Sequence, residues 1–388
     1  MTTYIIKRLL LMPLMLLGIT IITFVVISLA PGTSGATGTG EMSVGRKMTK
    51  QQQEVLRNTF HIGRPIHERY LLWLGVMQPE VTVEQQLELL KNDFMPDEPQ
   101  DKRVEAWTKL PDEEKKRLAA EGPRPPKRGL IFGDFGRSVA TPTMTVWQKI
   151  MEALPVTIVI SILVYIILYL ISIPMGIYSA THHTSKTEKV TTVGLFVLYS
   201  LPSFWVAVLL MKGMVMLNQA GYPSLPIQGL FPAGAEQMPT LQLLWETTQR
   251  LFLPVVASSY AGIASLSRFM RVGMLDIISS DFVRTARAKG CPQNVVIYKH
   301  ALRNSLIPMV TIIAGMLPGL VGGSVIIESI FGINGMGLLA YTAVLTRDYT
   351  LLMAEFTLVA VLVLIGILVS DILYVIVDPR ISLDKGAN

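Results

Sequence analysis

The chain has 388 residues, is 51% hydrophobic and has a mean hydropathy of +0.47, whereas charged residues make up only 16% of it. A typical soluble domain carries about 25% charge, so this composition excludes an ordinary soluble fold, the more so because the apolar residues cluster into runs matching bilayer thickness. The net charge of +6 fits Lys and Arg flanking membrane spans better than nucleic-acid binding, and the single cysteine, Cys291, excludes an intrachain disulfide framework.

The first apolar run is Leu9 to Leu29, preceded by Lys7 and Arg8. It exceeds the apolar core of a signal peptide, about 7–15 residues, and no small-x-small cleavage site directly follows, so an uncleaved span is expected. Residues 32–153 are polar and belong on the outer side. Within them Thr49 to Phe60, Val81 to Asn92 and Ala106 to Ala120 show helical patterns, the last broken by Pro111, and Gly122 to Pro126 reads as a linker. His61 and His67 do not share a helix face, so they make no ligand pair. This outer segment either contacts an outside partner or is an elaborated solvated loop.

The second run is Val156 to Ile177, closed by Pro174 and Gly176, and the third is Val190 to Leu217. The fourth, Leu251 to Leu266, is less apolar and rich in Ala, Ser and Gly, which suits close packing inside a bundle. The fifth, Leu306 to Ile327, carries no charge, and the sixth is Leu351 to Val377. The expected fold is an all-α integral membrane protein of about six transmembrane helices.

Basic residues in the short loops set the orientation. Lys7 and Arg8, Lys186 and Lys189, the group from Arg268 to Arg303, and Arg380 with Lys385 all fall on one side in a six-span chain. The opposite loops, 218–250 and 328–350, contain only Arg250 and Arg347. Both termini are therefore expected in the cytoplasm, and a count of five or seven spans would mix the signs.

No G-x-x-x-x-G-K-[ST], H-E-x-x-H or G-x-S-x-G occurs, so no P-loop, no metal site and no catalytic residue is predicted. His182 and His183 read as a solvated flank. Ionisable groups inside spans are functional hypotheses by default. Lys212, however, lies near the outer end of the third span and can snorkel. Glu355 and Asp371 lie near opposite ends of the sixth, which favours structural roles over a proton relay.

Between the fourth and fifth spans the order of residues is unusual. Ser280 or Asp281 can cap a helix over Phe282 to Lys289. Gly290 then stands where a left-handed residue is wanted, and Pro292 stops any continuation. A helix this short needs something to pack on. Ala286 and Ala288 are small, so another surface could come close, and Arg284, Arg287 and Lys289 offer donors to acidic groups or helix carbonyls. Gln293 to Asn304 reads as a second short helix, and Pro308 opens the fifth span. An ordinary basic loop would explain the charges but not this order.

The sequence Arg284-Thr285-Ala286-x-Ala288-Lys289-Gly290, followed by His300-Ala301-Leu302-Arg303-Asn304-x-Leu306-Ile307-Pro308, resembles the "EAA" loop of binding-protein-dependent ABC permeases. It is most similar to the first-permease type of the di- and oligopeptide branch, in which Glu-Ala-Ala becomes Arg-Thr-Ala. Tyr4 to Gly32, Gly133 to Ser138, Leu201 to Trp205, Arg347 to Tyr349 and Asp378 to Arg380 resemble further landmarks of that branch. The resemblance spans residues 1–75 and 129–388. A stretch near Val76 to Arg128 looks inserted in the outer loop, and Lys212 is an unusual charge for its span.

The resemblance implies a type I ABC importer permease fold and a transport subunit, not an enzyme. It implies a segment order of a span at 1–31, an extracytoplasmic region at 32–153 with the insertion near 76–128, a permease core at 154–377 containing a cytoplasmic coupling loop at 273–305, and a cytoplasmic tail at 378–388. ATP and Mg would reside on two partner ATPase subunits, with no cofactor bound by this chain. The coupling residues would be Phe282, Arg284, Thr285, Ala286, Ala288, Lys289, Gly290, His300 and Pro308. Gly315, Pro318, Gly319, Gly322 and Gly323 either let the fifth span bend or allow close helix packing. The expected partners are a homologous second permease forming a heterodimer, an extracytoplasmic binding protein and membrane lipid, with no nucleic acid. The expected site is the bacterial inner membrane. Di- or oligopeptides are the expected cargo, with nickel or glutathione as alternatives in the same branch. A channel or membrane sensor with a cytoplasmic docking loop is the alternative from another class.

Overall fold

The computed structural model describes residues 2–29, 41–42, 46–47, 64–77, 108, 110–111, 113, 115, 129–183, 185–232, 234–306, 309, 312, 315–316 and 318–377. The outer patterns at Thr49–Phe60 and Val81–Asn92, the linker at Gly122–Pro126, most of Ala106–Ala120, Pro308 and the landmark Asp378–Arg380 lie outside these residues. Two compact units emerge, one of residues 1–23 with 148–388 and one of residues 24–147. Helices α1 (Thr2–Leu29) and α3 (Val146–Thr181) contribute residues to both.

In the smaller unit, β1 (Glu41–Met42) and β2 (Arg46–Lys47) pair antiparallel. Helix α2 (Ile66–Leu74) ends at Gly75, whose φ of 92° lets its N–H reach the carbonyls of Leu71 and Leu72. Phe24 is fully buried, with Tyr70 and Trp73 centred 5.5 and 5.7 Å away and the Arg69 guanidinium 6.0 Å from its ring centre. The Gly133–Ser138 landmark is a turn in which Asp134 Oδ1 accepts from Gly136 N at 2.9 Å.

The larger unit continues with α4 (Lys186–Ser200), α5 (Ser203–Gln219), α6 (Thr240–Ile278) and α7 (Asp281–Ala288). A helical return follows, made of α8 (Gln293–Val295), a π-helical turn (Val296–Ala301) and α9 (Leu302–Ser305). Then come α10 (Gly319–Gly322), α11 (Val325–Phe331), α12 (Met336–Thr346) and α13 (Tyr349–Val377). Helices α1, α3 and α13 are each long and apolar enough to cross a membrane. Two bent pairs, α4 with α5 and α10–α11 with α12, raise the count to five if each is one span. Helix α6, at 39 residues, is the longest described helix but not among these apolar ones, because it carries Glu246, Arg250, Arg268, Arg271 and Asp276.

Three expectations change in detail. The third span is not straight, because α4 and α5 meet at 97°. Pro202 has no N–H to give and holds Leu201 extended, with φ −85° and ψ 132°. The second span does not close at Pro174 and Gly176, since α3 runs through both. Gly176 serves helix packing instead: a Cβ there would lie 2.5 Å from Met270 Cβ and 2.9 Å from the Ser267 carbonyl. The fifth span is broken, with its described helix resuming at Gly319, interrupted at Gly323 and Ser324, and bent by 83° before α12.

A buried polar cluster holds that break. Glu328, 4% exposed, accepts from Ser324 N at 3.1 Å and from Leu338 N at 2.7 Å. Thr157 on α3 donates to Glu328 Oε1 at 3.5 Å and accepts from Met336 N at 2.8 Å. The two side chains thus answer the free N–H groups that start α12. Asp348 does the same for α13, accepting from Leu351 N at 3.3 Å, while Lys149 Nζ lies 3.6 Å from its other oxygen. Arg347, at φ +54°, makes the left-handed turn between these helices. The Arg347–Tyr349 landmark is therefore a tight helix junction. Asp371 pairs with Arg8 at 3.1 Å, as a structural role requires. Replacing Glu328 by Ala leaves several buried donors unanswered, at about 1–3 kcal/mol each. We expect Glu328→Ala to lower the Tm of the detergent-solubilised protein by several degrees, and Glu328→Gln to lower it less, because the amide oxygen still accepts.

Candidate functional site

Helix α7 forms as the residue order predicts, one position earlier at each end. Ser280 occupies the cap position with extended φ and ψ, but its hydroxyl donates backwards to the Ile277 carbonyl at 2.6 Å, so it makes no side-chain cap. The C-terminal end is complete. Gly290 has φ +77°. Its N–H donates to Arg287 O at 2.9 Å, and Cys291 N donates to Ala286 O at 3.2 Å. This pair of bonds is the Schellman arrangement, and it needs a left-handed residue at the glycine position. Open space surrounds a Cβ built on Gly290, so only backbone conformation selects glycine here.

The two faces of α7 differ. Val283 and Ala286 are buried and pack on Val296 of the π turn, with Ile277 and Cys291 alongside. Phe282, Arg284, Thr285, Arg287, Ala288 and Lys289 are exposed. The small size of Ala286 thus serves contact within the chain, whereas Ala288 remains on the outer face. Arg284 lies 3.8 Å from Asp281, both well exposed.

The return behind α7 is firmly seated. Ile297 and Ala301 of the π turn join Leu168, Ile177 and Ala180 of α3 and Leu266, Met270 and Met274 of α6 in one core. Ser305 donates to the Gly273 carbonyl at 3.1 Å. His300 is half-buried in the π turn, and its carbonyl accepts from Asn304 Nδ2 at 3.2 Å. Wide π turns interrupt the regular ladder and recur at functional positions. The second short helix expected over Gln293–Asn304 contains such a turn, which residue spacing alone does not reveal.

The hinge candidates separate into two kinds. At Gly319 a Cβ would collide with the Tyr165 hydroxyl, and at Gly323 with Glu328 Oε1 and the Gly337 backbone. Gly315 and Gly322 face open space. Pro318 precedes α10 with helical φ and ψ. Side chains of α3, absent from the sequence-based expectations, face these residues. Ser161, Tyr165 and Tyr169 on α3 donate to the carbonyls of Gly319, Met316 and Met309 at 3.4, 3.1 and 3.2 Å. Their four-residue spacing puts all three hydroxyls on one face of α3. That spacing of polar groups within an apolar span was the available signal.

Residues 172–383 match the family of binding-protein-dependent transport system inner membrane components. The chain belongs to this family. This permease is 32% identical over 382 residues to an oligopeptide transport system permease protein, AppB, of Bacillus subtilis, covering 98% of this chain and 100% of the relative. It is 29% identical over 383 residues to a dipeptide transport system permease protein, DppB, of Lactococcus lactis, covering 99% and 100%. It is 33% identical over 254 residues to the oligopeptide permease protein OppB of Haemophilus influenzae, covering 65% and 77%. The matched region contains α7, the π turn and the hinge candidates. The family and the apolar helices place the permease in the bacterial inner membrane as a multi-pass protein.

Cys291 is half-exposed beside α7. With α7 in the cytoplasm, a membrane-impermeant maleimide should label Cys291 in inside-out vesicles and leave it unlabelled in intact cells. Labelling from outside intact cells would overturn the orientation.

Proposed function

We propose that the permease, with a homologous second permease subunit in a heterodimer, forms the path by which an ABC importer carries di- or oligopeptides inward. ATP and Mg act on two partner ATPase subunits, and this chain binds neither. An extracytoplasmic binding protein delivers the cargo. The names of the relatives support the peptide reading. The observation that carries the coupling role is the two-faced α7, buried inward on Val283 and Ala286 and open outward from Phe282 to Lys289.

In this reading the exposed face of α7 seats in a cleft on an ATPase subunit. Phe282 supplies apolar contact, Ala288 allows close approach, and Arg284 and Lys289 meet acidic groups or helix C-terminal carbonyls. Closure of the ATPase pair displaces α7. The displacement passes to the π turn and to α6 through Val283, Ala286 and Val296, because packed side chains transmit strain. His300 lies in the π turn that precedes span five. There Gly315 and Gly322 supply backbone freedom, while Gly319 and Gly323 keep neighbouring groups close.

Gly290→Val forces a β-branched residue into the left-handed region, at about 1–2 kcal/mol, a factor of about 5–30 in an equilibrium. The expected outcome is normal membrane insertion with peptide uptake reduced by about that factor and ATPase activity no longer stimulated by loaded binding protein. Unchanged uptake and stimulation would sink the coupling role of this end of α7. In a Cys291→Ser background, Ala288→Cys should crosslink to an ATPase subunit, and failure to crosslink in the assembled transporter would count against docking through this face.

A further inference from the structure

At the cytoplasmic ends of α3, α4 and α6 a small cleft of mixed polar and apolar lining is formed by Ser179, Thr192, Leu195, Phe196, Ser267, Arg268 and Arg271. Its charges are unevenly matched. Arg271 Nη2 lies 2.9 Å from Glu188 Oε1, which also accepts from Thr192 Oγ1 at 2.8 Å. That carboxylate is buried, with Glu188 3% exposed, and one guanidinium neutralises it. Arg268 stacks 4.4 Å from the Phe196 ring centre and has no carboxylate partner among the described residues. The cleft therefore keeps one unmatched positive charge. Ser267 is 3% exposed, and among the described residues neither its hydroxyl nor the buried Nε of Arg271 has a hydrogen-bond partner. A buried donor without a partner costs about 1–3 kcal/mol, so these groups call for an acceptor from outside the chain.

We propose that the Arg268–Arg271–Ser267 cleft holds the phosphate of an anionic phospholipid from the cytoplasmic leaflet. Guanidinium and hydroxyl donors suit phosphate oxygens. Basic pockets between spanning helices on the cytoplasmic side are where lipid headgroups bind. The acyl chains have a surface to follow, because Phe196 in the cleft and Tyr199, four residues on from Leu195 and on the same face of α4, are exposed. That apolar flank favours a lipid over a free anion. Lys186 and Lys189, exposed at the start of α4, add to the attraction at the headgroup level. The seated lipid bridges α4 to the last turns of α6, directly ahead of α7.

The test is a lipid titration of the full-length, delipidated permease followed by native mass spectrometry. Phosphatidylglycerol should bind more tightly than phosphatidylcholine. Arg268→Gln should weaken phosphatidylglycerol by about fivefold, the effect of one basic group near an anionic surface. Ser267→Ala, a milder change, should weaken it by about threefold through a lost hydrogen bond. Monodisperse gel filtration confirms that each variant is folded, and if Arg268→Gln is not, Ser267→Ala decides the matter. Displacement of phosphatidylglycerol by inorganic phosphate would show a free-phosphate site and overturn the lipid assignment. Equal affinity for the two lipids, or undiminished phosphatidylglycerol binding by the folded variants, would overturn the site itself.

Discussion

A helix that breaks inside a membrane releases N–H and carbonyl groups that lipid cannot answer, so the protein must supply the partners itself. The fifth span of this permease breaks at Gly323 and Ser324 and bends by 83° before α12. Helix α3 supplies much of the response. Its Thr157 and the nearby Glu328 satisfy the start of α12. Its Ser161, Tyr165 and Tyr169 answer three carbonyls along residues 309–319. Without that ladder the irregular span would carry several unsatisfied groups, and a regular helix would be the better solution. The position of α3 thus determines where span five can afford to be irregular.

The same arrangement separates rigid parts from adjustable ones. The core of Leu168, Ile177, Ala180, Leu266, Met270, Met274, Ile297 and Ala301 joins α3, α6 and the return behind α7. Interiors of this kind move as units. Helix α7 is tied to it through Val283, Ala286 and Val296. Between this body and α12 lie Gly315 and Gly322, where backbone change meets no neighbour. The ion pair of buried Glu188 with half-buried Arg271 joins α4 to the end of α6, so the third span is linked to the same body.

The sequence shows some of this directly because the causes are local. Gly290, Pro292 and the charge order around them predicted the end of α7 to within one residue, since a left-handed turn selects glycine through φ alone. Gly176 has the same side chain and a different cause. It looked like a helix stop, yet it lies mid-helix and makes room for Met270, which is remote in the chain. Ala286 shows the same ambiguity, for its small size suits an inner contact with Val296 as well as an outer one.

The sequence by itself determined the membrane class, the run positions and the short helix with its glycine exit. Hydropathy and backbone preference act on neighbouring residues and can be read along the chain. Only the tertiary structure decided that span three turns at Leu201 and Pro202, that the return contains a π turn, and that Ser161, Tyr165 and Tyr169 face the broken span. It also decided that Glu328 accepts from Leu338 N, ten residues ahead in the first turn of α12, and shares that task with Thr157, which is 171 residues away. Those outcomes depend on which helices become neighbours. Donor and acceptor then meet across separations that residue spacing does not encode.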